Sequence, residues 1–175
     1  MVDCKTAKRP ISDHVNITLD EADPIARKRA EEFHYRSVIG MIGFLCVGDK
    51  SLVFAHAQLS RIAAKVHEAH TKQIKQVCRY VKLHMDNGSC FDPNNHNDLT
   101  VFYDASFGDQ PYSGIVAIMW GGPWYVRSLR QKQNKMDTMS AETVAGSEGT
   151  KTVMYLRALL GDLGLPQRGT HGSPR

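Results

Sequence analysis

Apolar residues recur every three or four positions through the first half of the chain, a spacing that places them on one face of a helix. A first helix is predicted from about Glu31 to Gly48, and a second from about Ser51. The apolar face of the first helix consists of Tyr35, Val38, Ile39, Ile42 and Leu45. A third helix is predicted over residues 68–85, after which Gly88 suits a left-handed cap. Its apolar stripe consists of Ile74, Val77, Cys78, Val81 and Met85.

The pattern changes after a loop of turn-forming residues at 92–98. Beyond this loop come three short apolar runs typical of β-strands, over 99–103, 115–120 and 124–129. The Gly-Gly-Pro sequence at 121–123 predicts a tight hairpin connection between the last two runs. The loop at 92–98 is therefore the predicted domain boundary.

One further helix is predicted from Ser140, a residue type favoured at N-caps, to Gly164. Its apolar face consists of Val153, Leu156, Leu160 and Leu163. The fold class predicted is α/β, with a helical segment at 31–90 followed by a partial mixed sheet and one packed helix at 98–166. Residues 1–30 are polar and aperiodic, which indicates a loose leader. Residues 167–175 have the composition of a disordered tail.

Composition fits an ordinary globular protein, since 42% of residues are hydrophobic. The formal net charge of +4 permits nucleic-acid binding without requiring it. The four cysteines lack metal-binding spacing and indicate reduced intracellular thiols; they are Cys4, Cys46, Cys78 and Cys90. No apolar run reaches the roughly 18 residues of a membrane span, and the N-terminus lacks the apolar core of a secretory signal.

Two acidic residues carry the most specific candidate chemistry. Asp104 ends the first strand-like run, and Glu142 lies in the first turn of the last helix. Carboxylates in this order, separated by a hairpin, suit a centre that holds two divalent ions beside a scissile phosphate. Each also has a structural alternative, because aspartate is common in turns and acids are favoured in the first turn of a helix. If they act together, the two carboxylates should lie close to one another.

Basic residues cluster in the last strand and the loop after it, where they are candidates for phosphate contacts. They are Arg127, Arg130, Lys132 and Lys135. Lysines and Arg79 on the third helix form a second basic face, for which an exposed helix side is an equal alternative. His67, His70 and His84 lie on the same helix, but no neighbouring Glu or Cys completes a zinc-binding set. They are interpreted as polar helix positions.

Many short motifs resemble, in order and spacing, the C-terminal part of Copia-type LTR retrotransposon polyproteins. In the helical half, YRSVIGMIGFL, FAHAQLSR and KQIKQVCRYVK resemble the segments that follow the polymerase. In the second half, YDASFGD resembles the "D-A-D-W-A-G-D" motif that opens the family's ribonuclease H domain. Residues 128–131 resemble "S-K-K-Q", and SAETVAGSEGTKTVMYLRALLGDLG resembles the family's long helix. The resemblance covers about residues 35–165.

The resemblance implies a reverse transcriptase tail joined to a partial ribonuclease H-like domain. It implies hydrolysis of the RNA strand of RNA–DNA hybrids, with Asp104 and Glu142 as catalytic residues and ligands of Mg²⁺ or Mn²⁺. The family's next strand carries a further acid, for which this sequence has no counterpart. We therefore expect a truncated domain with little or no activity and weak binding to hybrids.

Two alternatives to an enzyme lineage stay open. One is a non-catalytic nucleic-acid-binding protein that uses the basic loops. The other is a helical interaction module in which residues 31–85 carry the function. The retained acids Asp104 and Glu142 favour the enzyme lineage, whereas the missing acidic strand favours the alternatives.

Overall fold

The computed structural model describes residues 4–11, 28, 32–64, 66, 68–106, 111–131 and 138–167, and the backbone of 171–174. The chain divides into two compact units, unit 1 (Met1–Gly88) and unit 2 (Ser89–Arg175). The boundary predicted from the sequence, in the loop at 92–98, comes shortly after this division. Among the described residues, no helix is both long enough and apolar enough to span a membrane.

Unit 1 contains three α-helices around one apolar core. They are α1 (Tyr35–Leu45), α2 (Val53–Ser60) and α3 (Glu68–Leu83), with a 3-10 turn at Lys50–Leu52. Asp49 caps this turn, because its carboxylate accepts hydrogen bonds from the Ser51 amide at 3.0 Å and the Ser51 hydroxyl at 2.6 Å. The predicted helical periodicity is expressed in the core, which buries Tyr35, Ile39, Ile42, Leu52, Ala55, Leu59, Ile62, Ile74, Val77 and Tyr80.

Residues 4–11 are not the loose leader expected from their composition. They lie along α3, where the Ala7 amide donates to the Arg79 carbonyl oxygen at 3.4 Å. Ala7 and Ile11 pack against the core of unit 1. Two small apolar contacts within a polar segment give no periodic signal, so the sequence did not reveal this packing. The rest of the predicted leader, apart from Lys28, lies outside the described residues.

Unit 2 is built on a mixed sheet with the order β3-β2-β1-β4. The strands are β1 (Thr100–Ala105), β2 (Tyr112–Met119), β3 (Gly122–Arg130) and β4 (His171–Pro174). The first three form an antiparallel meander, and β4 is parallel to β1. The turn between β2 and β3 consists of Trp120 (φ 51°) and Gly121 (φ 74°), both left-handed. Positive φ at both central residues is the requirement of a two-residue hairpin that matches strand twist.

A single long helix, α4 (Thr138–Asp162), packs on one face of this sheet. The interface buries Leu99, Val101, Ile115, Ala117, Met119, Leu156 and Leu160. The predicted N-cap, Ser140, falls inside the first turn because the helix begins two residues earlier. Leu163 is 63% exposed, contrary to its predicted place on the apolar face, because the helix ends at Asp162 and the chain turns at Gly164 (φ 78°). The predicted α/β class is confirmed.

The strand β4 corrects the prediction that 167–175 are disordered. Gln167 leads the chain back to β1: its side-chain oxygen accepts from the Leu99 amide at 2.9 Å, and its carbonyl oxygen from Arg157 at 2.9 Å. Residues 171–174 then pair with residues 100–103. Strand pairing of this kind uses backbone groups, so a short polar sequence gives no hydrophobic pattern that would predict it.

Candidate functional site

The packing of Tyr103 determines which way Asp104 points. A Cβ atom added to Gly149 of α4 would lie 2.9 Å from Tyr103 Cδ1, and one on Gly146 would lie 3.6 Å from Tyr103 Cε2. The Tyr103 ring therefore lies on the face of the sheet that α4 covers. Because consecutive strand residues point to opposite faces, Asp104 points to the other face, together with Phe102.

Asp104 is exposed on this second face of the sheet. It borders a shallow cavity of about 290 Å³, whose other lining residues are Phe102, Tyr103, Gly114, Val116 and Ile118. Its Oδ1 atom accepts a hydrogen bond from the Ala105 amide at 2.9 Å. Beyond it, the Ser106 hydroxyl accepts from the Tyr112 amide at 2.9 Å and closes the end of the β1–β2 pair. The surroundings of Asp104 are mostly apolar.

Glu142 is half-buried in the first turns of α4. It precedes Gly146 by four residues and Gly149 by seven, so helical periodicity places it on the flank that faces Tyr103. This flank lies on the covered side of the sheet. Asp104 and Glu142 are thus at the same end of β1 in sequence register, but the strand lies between their side chains.

Gln131 positions the start of α4, and the sequence reasoning did not assign it this role. Its Nε2 group donates to the Ser113 hydroxyl at 3.0 Å and to the Ala141 carbonyl oxygen at 2.9 Å. The side chain is buried, and its Oε1 atom has no hydrogen-bond partner within the described part of the chain. It therefore joins the end of β2 to the turn of α4 that carries Glu142. The match of residues 128–131 to "S-K-K-Q" was the only available signal.

The described residues do not fit a two-ion centre. Two divalent ions about 4 Å apart need several oxygen ligands that converge on one space. Across residues 4–11, 32–64, 68–106, 111–131 and 138–167, no group of three or more His, Cys, Asp or Glu side chains could hold a metal ion. Asp104 and Glu142 face different sides of β1. Their predicted role as ligands of Mg²⁺ or Mn²⁺ stays a prediction that this geometry does not favour.

The predicted basic patch is divided between the two faces of the sheet. Arg127 pairs with Ile115, which faces α4, whereas Arg130 pairs with Tyr112, whose neighbours in register face the open side. Both arginines are exposed. Lys132 and Lys135 lie outside the described residues, so the four positions cannot be placed on one surface.

Arg127 is electrostatically coupled to the α4 helix. The pKa of Glu148 is lowered, first by its hydrogen bond from Lys151 at 2.8 Å and then by the charges of Lys151 and Arg127. The histidines of α3 do not form a shared site. His70 is buried in unit 1, His84 stacks against Tyr80 with ring centroids 4.4 Å apart, and His67 lies outside the described residues.

Comparison of the chain with family models, curated proteins and solved structures gives no match.

Proposed function

We propose that unit 2 is related to the ribonuclease H domain of Copia-type retrotransposon polyproteins and has little or no cleavage activity in this chain. The observation that carries the proposal is the element order. A strand ending in Asp104 is followed by an antiparallel hairpin and then by a long helix with Glu142 in its first turns. This is the order implied by the motifs YDASFGD and SAETVAGSEGTKTVMYLRALLGDLG, and both motifs fall on the elements that they occupy in the family.

The later part of the chain adds support to this relationship. After α4 the chain returns to the sheet as β4, next to β1 and parallel to it. The resemblance implies a further strand after the long helix. The residues of β4 are His, Gly, Ser and Pro, so this strand does not supply the additional acid of the family. A related fold without the full ligand set is what the proposal describes.

Low activity follows from the arrangement of the two acids. Ribonuclease H-like hydrolysis needs ligands that stabilise both the attacking and the leaving oxygen of the phosphate. With Tyr103 between them in the strand alternation, Asp104 and Glu142 do not converge on one space. We therefore derive no catalytic step through a bound metal ion.

The test is a cleavage assay on the purified full chain with a labelled RNA–DNA hybrid and either Mg²⁺ or Mn²⁺. We expect no cleavage above that of Asp104→Asn, which removes the charge and keeps the size of the side chain. Turnover by the wild type that is lost in Asp104→Asn and in Glu142→Gln would refute the proposed inactivity. Turnover that persists in both variants would be attributed to a contaminating nuclease.

The hybrid is also the proposed binding partner. The exposed guanidinium groups of Arg127 and Arg130 can each neutralise a phosphate, which gives weak, salt-sensitive binding without sequence preference. Because these residues lie on different faces, they are expected to contribute separately.

A further inference from the structure

The N-terminal segment of unit 1 forms a strap, residues 4–11, that runs antiparallel to α3. The Lys82 ammonium donates to the Cys4 carbonyl oxygen at 3.0 Å, and the Ala7 amide donates to the Arg79 carbonyl oxygen at 3.4 Å. The Gln76 side-chain amide donates to the Arg9 carbonyl oxygen at 3.2 Å. As the strap advances, its partners therefore move back along the helix.

This arrangement brings Cys4 to the turn of α3 that carries Cys78. Residues 78 and 82 are four apart and share a helix face. Long side chains in helices lean toward the helix N-terminus, so the Lys82 side chain extends over the turn that contains Cys78. The Cys4 carbonyl group that it binds lies at that level. Both cysteines are half-buried thiols.

The electrostatics of Cys78 agree with this placement. Burial raises the pKa of the Cys78 thiol, and the charge of a Cys4 thiolate raises it further. Cys4 is thus near enough for its charge to be felt at Cys78. Cys46 has different surroundings: after burial, the largest influence that raises its pKa is Asp49.

We propose that Cys4 and Cys78 form a redox-sensitive pair, which a low-molecular-weight disulfide such as oxidised glutathione converts into a disulfide that fastens the strap to α3. A disulfide requires Cα atoms within about 7 Å of each other, and a strap lying on the helix surface is compatible with that separation.

The reaction proceeds by two thiol–disulfide exchanges. One protein thiol loses its proton to solvent, and its thiolate attacks a sulfur of oxidised glutathione. A mixed disulfide forms, and one glutathione thiolate leaves. The second protein thiolate then attacks the protein sulfur of the mixed disulfide and displaces the second glutathione thiolate. The two cysteines are oxidised by two electrons in total, and one molecule of oxidised glutathione is reduced to two thiols.

The bond has a structural consequence for the core of unit 1. It closes the chain between positions 4 and 78, which restricts the unfolded state and stabilises the folded one. It also holds Ala7 and Ile11 against the core cluster. In a reducing compartment the pair stays as thiols, so the link forms only when oxidised glutathione accumulates.

The experiment uses the full chain in a series of glutathione redox buffers, quenched with iodoacetamide and digested with trypsin. We expect the peptide ending at Lys5 to be joined to the peptide spanning 76–79, with the loss of two hydrogen atoms. Cys4→Ser and Cys78→Ser should abolish the linked species. The matched controls, Cys46→Ser and Cys90→Ser, should retain it at the same buffer composition as the wild type.

A second readout is the urea midpoint of unit 1, followed by the helical circular dichroism signal. Oxidation should raise this midpoint in the wild type and leave it unchanged in Cys4→Ser. The proposal is overturned if both cysteines carry glutathione without linking, or if Cys78 pairs with Cys46 or Cys90 instead. Peptide mapping of the wild type decides this even if a variant fails to fold.

Discussion

The ring of Tyr103 on β1 lies directly against the backbone of Gly149 on α4. A Cβ atom at position 149 would come within 2.9 Å of Tyr103 Cδ1 and 3.1 Å of Cγ. The absence of a side chain at this position therefore sets how closely the helix approaches the sheet. It also fixes Tyr103 on the covered face and, through strand alternation, Asp104 on the other.

Gly149→Ala should destabilise unit 2. The better helix propensity of alanine contributes about 1 kcal/mol, but displacing the aromatic ring costs about 1–3 kcal/mol, so a net loss is expected. The measurement is the urea midpoint followed by tryptophan fluorescence, because both tryptophans belong to unit 2. Gly161→Ala is the control, since a Cβ there meets no atom within 4 Å, and it should stabilise the unit. Equal midpoint shifts in the two variants would contradict the close contact.

Gln131→Ala should destabilise unit 2 by about 1–3 kcal/mol, because it leaves the Ser113 hydroxyl and the Ala141 carbonyl group without their buried donor. Gln131→Glu is the informative companion variant, since it keeps the shape of the side chain and replaces the donating amide by an acceptor. Both should lower the same fluorescence-detected urea midpoint. A wild-type midpoint in Gln131→Glu would mean that the two donor contacts contribute no net stability.

His56 should make unit 1 less stable in mild acid. Burial lowers the pKa of His56 from its ordinary value of 6.5, so the unfolded chain binds a proton before the folded chain does as the pH falls. The associated stability is complete above about pH 6.5 and is lost as the pH falls through 6.5 toward the lower folded pKa. Urea midpoints from circular dichroism at pH 8, 6 and 5 should decline less steeply in His56→Gln. Parallel pH curves would show that this ring titrates alike in both states.

Arg130→Ala and Arg127→Ala should each weaken binding to an RNA–DNA hybrid. Loss of one phosphate contact should reduce the slope of log affinity against log salt concentration by about 1. Arg127 also interacts with Glu148, so its free charge is partly compensated and its effect should be the smaller one. Fluorescence anisotropy across a salt series gives the slopes. Arg157→Ala is the control for net charge, because its guanidinium group is bound by the Gln167 carbonyl oxygen. Identical slopes for all three variants would remove β3 from the binding surface.

The helices and the first three strands could be predicted because their apolar spacing is regular. Ile39, Ile42, Ile74 and Val77 lie at helical intervals and are all buried in unit 1. The face on which Asp104 lies could not be predicted in the same way. Phe102 and Tyr103 are both aromatic, so the sequence of β1 does not indicate which of its faces receives the helix. Only the contact between Tyr103 and Gly149 decides this.

The candidate site was predictable as residue types and positions in the chain, but not as geometry. Glu142 lies in the first turns of a helix, as expected from its sequence context. Its relation to Asp104 depends on a strand alternation that a nearly continuous apolar run leaves ambiguous. Gln131 was missed because a glutamine in a polar stretch gives no sign that it is buried.

The four residues of β4 also affect how the sheet meets other molecules. A flat strand at the edge of a sheet offers unpaired amides and carbonyls to a strand from another chain, and such pairing leads to aggregation. β4 is short, contains Gly172, and ends at Pro174, which has no amide hydrogen to donate. The strand therefore covers the edge of β1 and is itself a poor template, which limits growth of the sheet between molecules on that side.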